Sequence, residues 1–367
     1  MSYLDANATE PLRPAARAAV LAALDLTGNP SSVHGAGRAA RRVVETARTA
    51  LATRFGGRPQ DLVFTSGATE ANALAIHALG HGRRIIVGAT EHDAVRAAAP
   101  NAAVLPVDSN GVADLAALAQ LLSEGGPALV CLMMANNETG TLQPIMEAAA
   151  ICRHHGALLH VDAVQAAGRI PVEFAALGAA SLVVSSHKLG GPTGAGALLL
   201  APEVAAIGAL IRGGGQERGR RGGTPSVPAI AGFAAAALAD PPALASLRDA
   251  IERIAMDAGA LVCGGAGPRL ANTTCLALPG VRADAQVIAL DLDGIAVSAG
   301  AACSSGKVTA SHVLAAMGLG DLAGEAIRVS LPWNATGADV AAFAATYPRM
   351  AARLRAALGR PLASRAA

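Results

Sequence analysis

The sequence predicts an α/β protein: a doubly wound, mostly parallel sheet in a large unit, followed by a smaller α+β unit. Three observations carry this. Between about residues 62 and 200, short apolar runs rich in β-branched residues alternate with stretches of helical spacing. Strands joined through helices pair in parallel and carry helices on both faces. At Asp240-Pro241-Pro242 the composition shifts, and the chain beyond mixes long helical spacings with short strands. With 367 residues, 52% of them hydrophobic and only 15% charged, the chain has material for a large core and two domains.

The elements follow in order. Residues 1–14 are short, polar and proline-bearing and read as an extended arm. Helical spacing runs from Pro14 to Leu26, and after a turn at Asn29-Pro30-Ser31-Ser32 a second helix covers about Gly37 to Phe55. A strand from Leu62 to Phe64 runs into Thr65-Ser66-Gly67-Ala68-Thr69, where a helix opens. A strand at Arg84–Gly88 leads to Thr90-Glu91-His92-Asp93 and a helix. Further strands are expected at Val104–Val107, Leu129–Met134 (ending in Ala135-Asn136-Asn137-Glu138-Thr139-Gly140), Leu158–Val161 (ending in Asp162), Leu182–Ser185 and Gly196–Leu200, with a helix at Met146–His154. A polar glycine-rich loop, Gly213 to Thr224, precedes a helix from Ala229 to Leu238. Helices around Leu244–Ala260 and Val340–Leu358 and strands near Thr273–Leu278 and Ile327–Ser330 complete the chain. The expected division is an arm over 1–14 packed on the small domain, a large cofactor-binding domain over 15–240 and a small domain over 241–367.

Composition excludes several functions. Net charge is +2, no basic block stands out and aromatic residues are 2%, so no nucleic-acid partner is expected. No uncharged apolar run reaches the roughly eighteen residues of a membrane span, and the opening MSYLDANATEPLRP lacks a signal-peptide order, so no membrane partner and a cytoplasmic location are expected. Cys131, Cys152, Cys263, Cys275 and Cys303 form no C-x-x-C pair, which points to free thiols and to no metal site.

The chemistry gathers at strand ends. Lys188 follows the apolar run Leu182-Val183-Val184 and is itself followed by glycines 190, 191, 194 and 196. Desolvation there disfavours the charged form and makes an amine a usable nucleophile, although a lysine after a strand is also an ordinary surface residue. Free N–H groups and hydroxyls at Thr65–Thr69 make a phosphate site at a helix start, or ordinary caps. Thr69, His92, Asn137, Asp162 and Lys188 all follow strands, and ligands of such sheets bind beyond the carboxyl ends of the strands. A lysine, a carboxylate and a phosphate cradle on one rim suit pyridoxal 5′-phosphate, which needs a Schiff-base lysine, a partner for its ring nitrogen and donors for its phosphate. The stretch Gly300–Lys307 departs from a P-loop, having five residues between its glycines and Val308 where Ser or Thr belongs. Gly191-Pro-Thr-Gly-Ala-Gly is a weak dinucleotide-type signal that opens no clear helix.

The motifs Thr65-Ser-Gly-Ala-Thr-Glu-Ala-Asn, Glu91-His92, Asn136-Asn-Glu-Thr-Gly, His160-Val-Asp-Ala-Val-Gln, Ser186-His-Lys, Gly213-Gly-Gly-Gln-Glu-Arg-Gly-Arg-Arg and Ala302-Cys-Ser-Ser-Gly resemble, in order and spacing, those of the cysteine desulfurases. These are class V pyridoxal-phosphate enzymes of fold type I, and the likeness runs from Tyr3 to about Thr336. The resemblance implies that Lys188 carries the cofactor, Asp162 pairs with its ring nitrogen, Gln165 contacts its ring oxygen, and His92 stacks on the ring and moves protons. Ala68, Thr69, Ser185 and His187 hold the phosphate, with Thr224 from a neighbouring subunit of a homodimer. Asn137 and Arg328 bind the substrate carboxylate. Cys303 accepts the sulfur of L-cysteine as a persulfide, on a loop whose length matches the group that passes sulfur to acceptor proteins such as iron–sulfur scaffolds.

Five positions depart from the family pattern: Glu10 stands for a usual threonine, Pro225 and Ser226 make Thr224-Pro225-Ser226 of a usual Thr-Glu-Asn, Ala301 stands for serine, and Pro332 for the glycine after Arg-x-Ser-Leu. The alternatives to cysteine desulfuration are selenocysteine lysis, another transaminase or lyase reaction that does not use Cys303, and a cofactor-binding relic that serves only as an interaction platform. Intact Lys188, Asp162, His92 and Cys303 argue against the last.

Overall fold

A computed structural model describes residues 1–300 and 310–359. In chain order, β1 (Ser2–Tyr3) belongs to the arm. The strands β2 (Leu62–Thr65), β3 (Arg84–Gly88), β4 (Ala103–Leu105), β5 (Ala128–Met133), β6 (Leu158–Asp162), β7 (Ser181–Ser185) and β8 (Gly196–Leu200) form one sheet. Its order is β2-β8-β7-β6-β5-β3-β4. The pairs β3–β4, β3–β5, β5–β6 and β6–β7 are parallel, and β8 runs antiparallel between β7 and β2. The mostly parallel sheet expected from the alternation is therefore present.

Alternation along each strand explains the double winding. Phe64, Ile86, Val130, Val161 and Val184 enter one core, against helices Pro14–Leu24, Gly35–Arg54 and Val227–Ala237. Val63, Val183 and Leu198 point to the other face, as do Val87, Leu129 and Cys131, and both groups meet helix Ala68–Leu79. Successive side chains of a strand leave on opposite faces, so a run that is apolar throughout must be covered twice. The strand expected at Val104–Val107 stops at Leu105, before Pro106, which lacks the N–H that a ladder needs.

A second, antiparallel sheet has the order β12-β13-β10-β9, with β9 (Leu261–Cys263), β10 (Thr273–Ala277), β12 (Ser298–Ala299) and β13 (Ala326–Ser330). The short β11 (Ile295–Ala296) pairs in parallel with β1. Helices Ala245–Asp257, Ala283–Leu292 and Gly337–Ala357 pack with this sheet in a separate core that also takes in Leu4. The helix at Ala283–Leu292 was not expected. Among the described residues no helix is long and apolar enough to cross a membrane.

The arm links the two sheets. It joins β13 through the Leu4 and Ser330 backbones, then crosses to the large sheet, where Glu10 N–H donates to the His187 carbonyl at 2.9 Å and Arg13 N–H to the Gly190 carbonyl at 2.8 Å. That crossing places residues 5–8 over the rim on which the strand ends converge.

Candidate active site

A cavity of about 680 Å³ lies where the carboxyl ends of β2, β3, β5, β6 and β7 meet β12, β13 and the arm. Ala68, Thr69, His92, Asn137, Asp162, Gln165, Ser185, His187, Lys188 and Arg328 all line it. Register produces this convergence: Met133 pairs with Asp162 and Asp162 with Val183, so the chain leaves each strand at nearly one level.

Lys188 sits in the 3-10 turn Ser186–Lys188, directly after β7. Its Nζ donates to the Ala8 carbonyl at 2.9 Å and to the Asn7 carbonyl. On the neighbouring strand, Asp162 is 7% exposed. Its Oδ1 accepts the Val164 N–H at 2.9 Å and its Oδ2 accepts Asn72 Nδ2 at 2.7 Å. His92 is the N-cap of the short helix Asp93–Arg96, and its Nδ1 accepts the Ala94 N–H at 3.1 Å, which leaves Nε2 as the protonated ring nitrogen. Behind it Glu91 is fully buried. Burial first, and then the charge of Asp162, push its carboxyl well above the usual range.

Another part of the cavity wall carries groups that suit an anion. Helix Ala68–Leu79 begins there, with the N-cap Gly67 in extended backbone. A Cβ on Gly196, across the sheet, would lie 2.6 Å from the Gly67 carbonyl carbon, so the close approach of these two backbones requires glycine. Ser185 Oγ is buried on the cavity wall and has no hydrogen-bond partner among the described residues. His187, whose Nδ1 lies 3.1 Å from Thr9 Oγ1, is pushed down to about 4, by burial first and then by the charge of Lys188. A buried hydroxyl without a partner is costly. Together with the first-turn N–H groups of a helix it fits a phosphate, and with Lys188 and Asp162 it fits pyridoxal 5′-phosphate.

Arg328 reaches in from β13. Its Nη2 donates to Asp5 Oδ1 at 2.7 Å and its Nη1 to the Asn137 carbonyl at 3.1 Å. Gln165 donates from Nε2 to the Asn7 carbonyl at 3.1 Å, and its Oε1 accepts from Arg169. Thr224 lies elsewhere, in a shallow depression with Leu24, Leu26 and Pro30, outside its own chain's cavity. Cys303 lies outside the described residues. Gly300 and Ser311, which flank its segment, both meet Glu138: Ser311 Oγ donates to Glu138 Oε2 at 2.5 Å, and a Cβ on Gly300 would sit 2.3 Å from the same atom.

Sequence reasoning assigned no role to Asp5, Asn7, Asn72 or Arg169. Asn72 had a signal, since it stands three residues after Thr69 and so on the same helix face. Asp5 and Asn7 lie in the arm and reach the site only through its path. The other cysteines among the described residues, Cys131, Cys152, Cys263 and Cys275, are all buried.

The family model for aminotransferase class V matches residues 2–343. A cysteine desulfurase of Cereibacter sphaeroides is 42% identical over 375 residues, covering 96% of each chain. An IscS-like cysteine desulfurase of Mycobacterium tuberculosis is 39% identical, covering 100% of both chains. Among solved structures, a NifS-like protein from Rickettsia africae superposes with a TM-score of 0.88 at 35% identity, covering 95% of this chain and 99% of that one. A structure described as SspA in complex with cysteine gives a TM-score of 0.80 at 28% identity, covering 90% of this chain and 99% of that one. With a rim of strand-end groups that fits pyridoxal 5′-phosphate and full-length likeness to these enzymes, the chain belongs to the cysteine desulfurases of the class-V aminotransferase family.

Proposed function

We propose that the chain takes L-cysteine as substrate, moves its sulfur onto the thiolate of Cys303 and releases L-alanine. The observation that supports this reading is the convergence of Lys188, Asp162 and Arg328 on one cavity whose wall carries the unpartnered Ser185 hydroxyl. The cofactor, when bound, supplies an electron sink for negative charge at the substrate α-carbon. Lys188 would hold it covalently, Asp162 would face its ring nitrogen, Gln165 its ring oxygen and His92 its ring face. Ala68, Thr69, Ser185 and His187 would hold the phosphate together with the partner subunit's Thr224.

The remaining work falls to side chains. Arg328 and Asn137 bind the substrate carboxylate, which must displace the Asp5 carboxylate from the Arg328 fork. Lys188 Nζ, held by the arm carbonyls, takes the α-proton. The Cys303 thiolate then attacks the substrate sulfur. An S–S bond forms as the Cβ–S bond breaks, the bonding pair stays on Cβ, and a proton delivered to Cβ completes the methyl group of alanine. One enzyme thiol and one cysteine thus give one persulfide and one alanine.

The same proposal includes a homodimer, because Thr224 stands outside the cavity of its own chain, and a sulfur-acceptor protein such as an iron–sulfur scaffold to discharge the persulfide. It also includes a division near residue 240 into a cofactor-binding unit and a smaller one, supported by the two separate cores. The test is mass spectrometry after one turnover without reductant. Cys303 is expected to gain one sulfur, and Cys303→Ser to bind cysteine with a cofactor spectral change yet form neither alanine nor persulfide. Lys188→Ala is expected to lack covalently held cofactor. Extra sulfur on another cysteine, or full turnover by Cys303→Ser, refutes the assignment.

A further inference from the structure

Beneath Asp162 runs a chain of buried polar groups that the reaction as described does not use. Asn72 and His160 are each 0% exposed, as is Ser181. Asn72 Nδ2 lies 2.7 Å from Asp162 Oδ2, His160 Nε2 lies 2.9 Å from Asn72 Oδ1, and Ser181 Oγ lies 2.7 Å from His160 Nδ1. The three partners come from different elements: helix Ala68–Leu79, β6 and β7.

Donor and acceptor chemistry gives this chain two self-consistent settings. In one, the Ser181 hydroxyl donates to His160 Nδ1, His160 Nε2–H donates to Asn72 Oδ1, and Asn72 Nδ2–H donates to an ionised Asp162. In the other the Asn72 amide is turned over, so that its Oδ1 accepts from a protonated Asp162 and its Nδ2 donates to His160 Nε2, and His160 Nδ1–H donates to Ser181 Oγ. The surroundings select the first. The Val164 N–H donates to Asp162 Oδ1, and the cavity beyond is lined by the cationic side chains Lys188 and Arg328, which suit a carboxylate that accepts at both oxygens. Burial also holds His160 down to about 4, which keeps its ring neutral, with one donor and one acceptor nitrogen, as the chain requires.

We infer that Asn72 and His160 are positioning residues: through the one-way chain from Ser181 they keep Asp162 ionised and aimed into the cavity, and so set how firmly Asp162 holds the proton on the cofactor ring nitrogen. The inference rests on the reading that Asp162 faces that nitrogen. A hydrogen bond to a charged acceptor contributes about 1.5–3 kcal/mol. Its loss corresponds to a roughly ten- to hundredfold weaker hold on the ring proton.

The test loads the full-length enzyme with pyridoxal 5′-phosphate labelled with 15N in the ring and reads the chemical shift of that nitrogen at neutral pH. Wild type is expected at the protonated position and Asp162→Asn at the neutral one. Asn72→Leu and His160→Leu are expected to move toward the neutral position, with His160→Gln, which keeps an N–H donor, restored toward wild type. If Asp162→Asn leaves the shift unchanged, the reading of Asp162 fails. If Asp162→Asn moves it while Asn72→Leu and His160→Leu stay at the wild-type position, the positioning inference fails alone. Should Asn72→Leu not fold, the pair of His160 variants decides, because a merely structural role does not separate leucine from glutamine at the ring nitrogen.

Discussion

Replacing Glu10 by threonine, the residue usual in this family, is expected to destabilise this protein. Glu10 is 6% exposed, and its side chain accepts from Arg169, whose side chain is 5% exposed, at 3.4 Å. The second carboxylate oxygen accepts the Trp333 N–H at 3.1 Å. Burial raises the Glu10 pKa and lowers that of Arg169, each opposed by the charge of the other. Glu10→Thr therefore strands a buried guanidinium. The remaining partners of Arg169 are Gln165, through its carbonyl at 2.9 Å and its Oε1, and the Ala6 carbonyl at a long 3.5 Å. Arg169 Nε has no partner already among the described residues. Breaking a buried ion pair by removing one side costs about 3–5 kcal/mol. Glu10→Gln keeps hydrogen-bonding capacity without charge and is expected to cost less, about 1–3 kcal/mol. Glu10→Thr combined with Arg169→Leu leaves no charge unpaired and is expected to recover much of the loss. The assay is urea denaturation, at one fixed cofactor concentration, of wild type, Glu10→Thr, Glu10→Gln, Arg169→Leu and the double variant. Glu10→Thr and Glu10→Gln both within about 0.5 kcal/mol of wild type would refute the reasoning. So would a double variant whose cost is the simple sum of its parts.

Stability should also fall in acid. His160 is pushed down to about 4 by burial, below its ordinary 6.5, so its contribution is complete above pH 6.5 and is lost as pH falls toward 4. The loss is about 3 kcal/mol at most, and His160→Gln should flatten a pH-resolved denaturation profile across that window. Gly196→Ala should abolish cofactor retention, measured by absorbance after gel filtration, because the new methyl meets Gly67 backbone that cannot step aside. Gly300→Ala pushes on the Glu138 carboxyl that Ser311 also binds. It should slow persulfide formation in rapid-quench mass spectrometry while leaving the cysteine-induced spectral change in place.

Much of the scaffold was legible because its signals are local. The run Leu182–Val184 and the break at Ser185 mark a buried strand and its end, and the same logic put Asp162, His92 and Lys188 at the ends of their strands. Once the strands are parallel, the ends share a rim, so the site residues converge without any contact having to be read in advance. The short strands β9, β11 and β12 and the helix at Ala283–Leu292 carry weaker periodicity, and their placement follows from packing in the second core. Glu10 was visible as a departure, but not its reason.

What the sequence determined by itself is the period of each element, the residue that closes it and the chemical type of the rim groups. What only the tertiary structure decided is which distant residues finish the site. Asp5 reaches Arg328 across 323 positions, Asn72 reaches Asp162 across 90, and Glu10 meets Arg169 across 159. Backbone geometry propagates a pattern over a few residues only. Contacts of this span exist because the arm crosses from β13 to the large sheet and because helix Ala68–Leu79 packs over β6 and β7, and no local spacing records either.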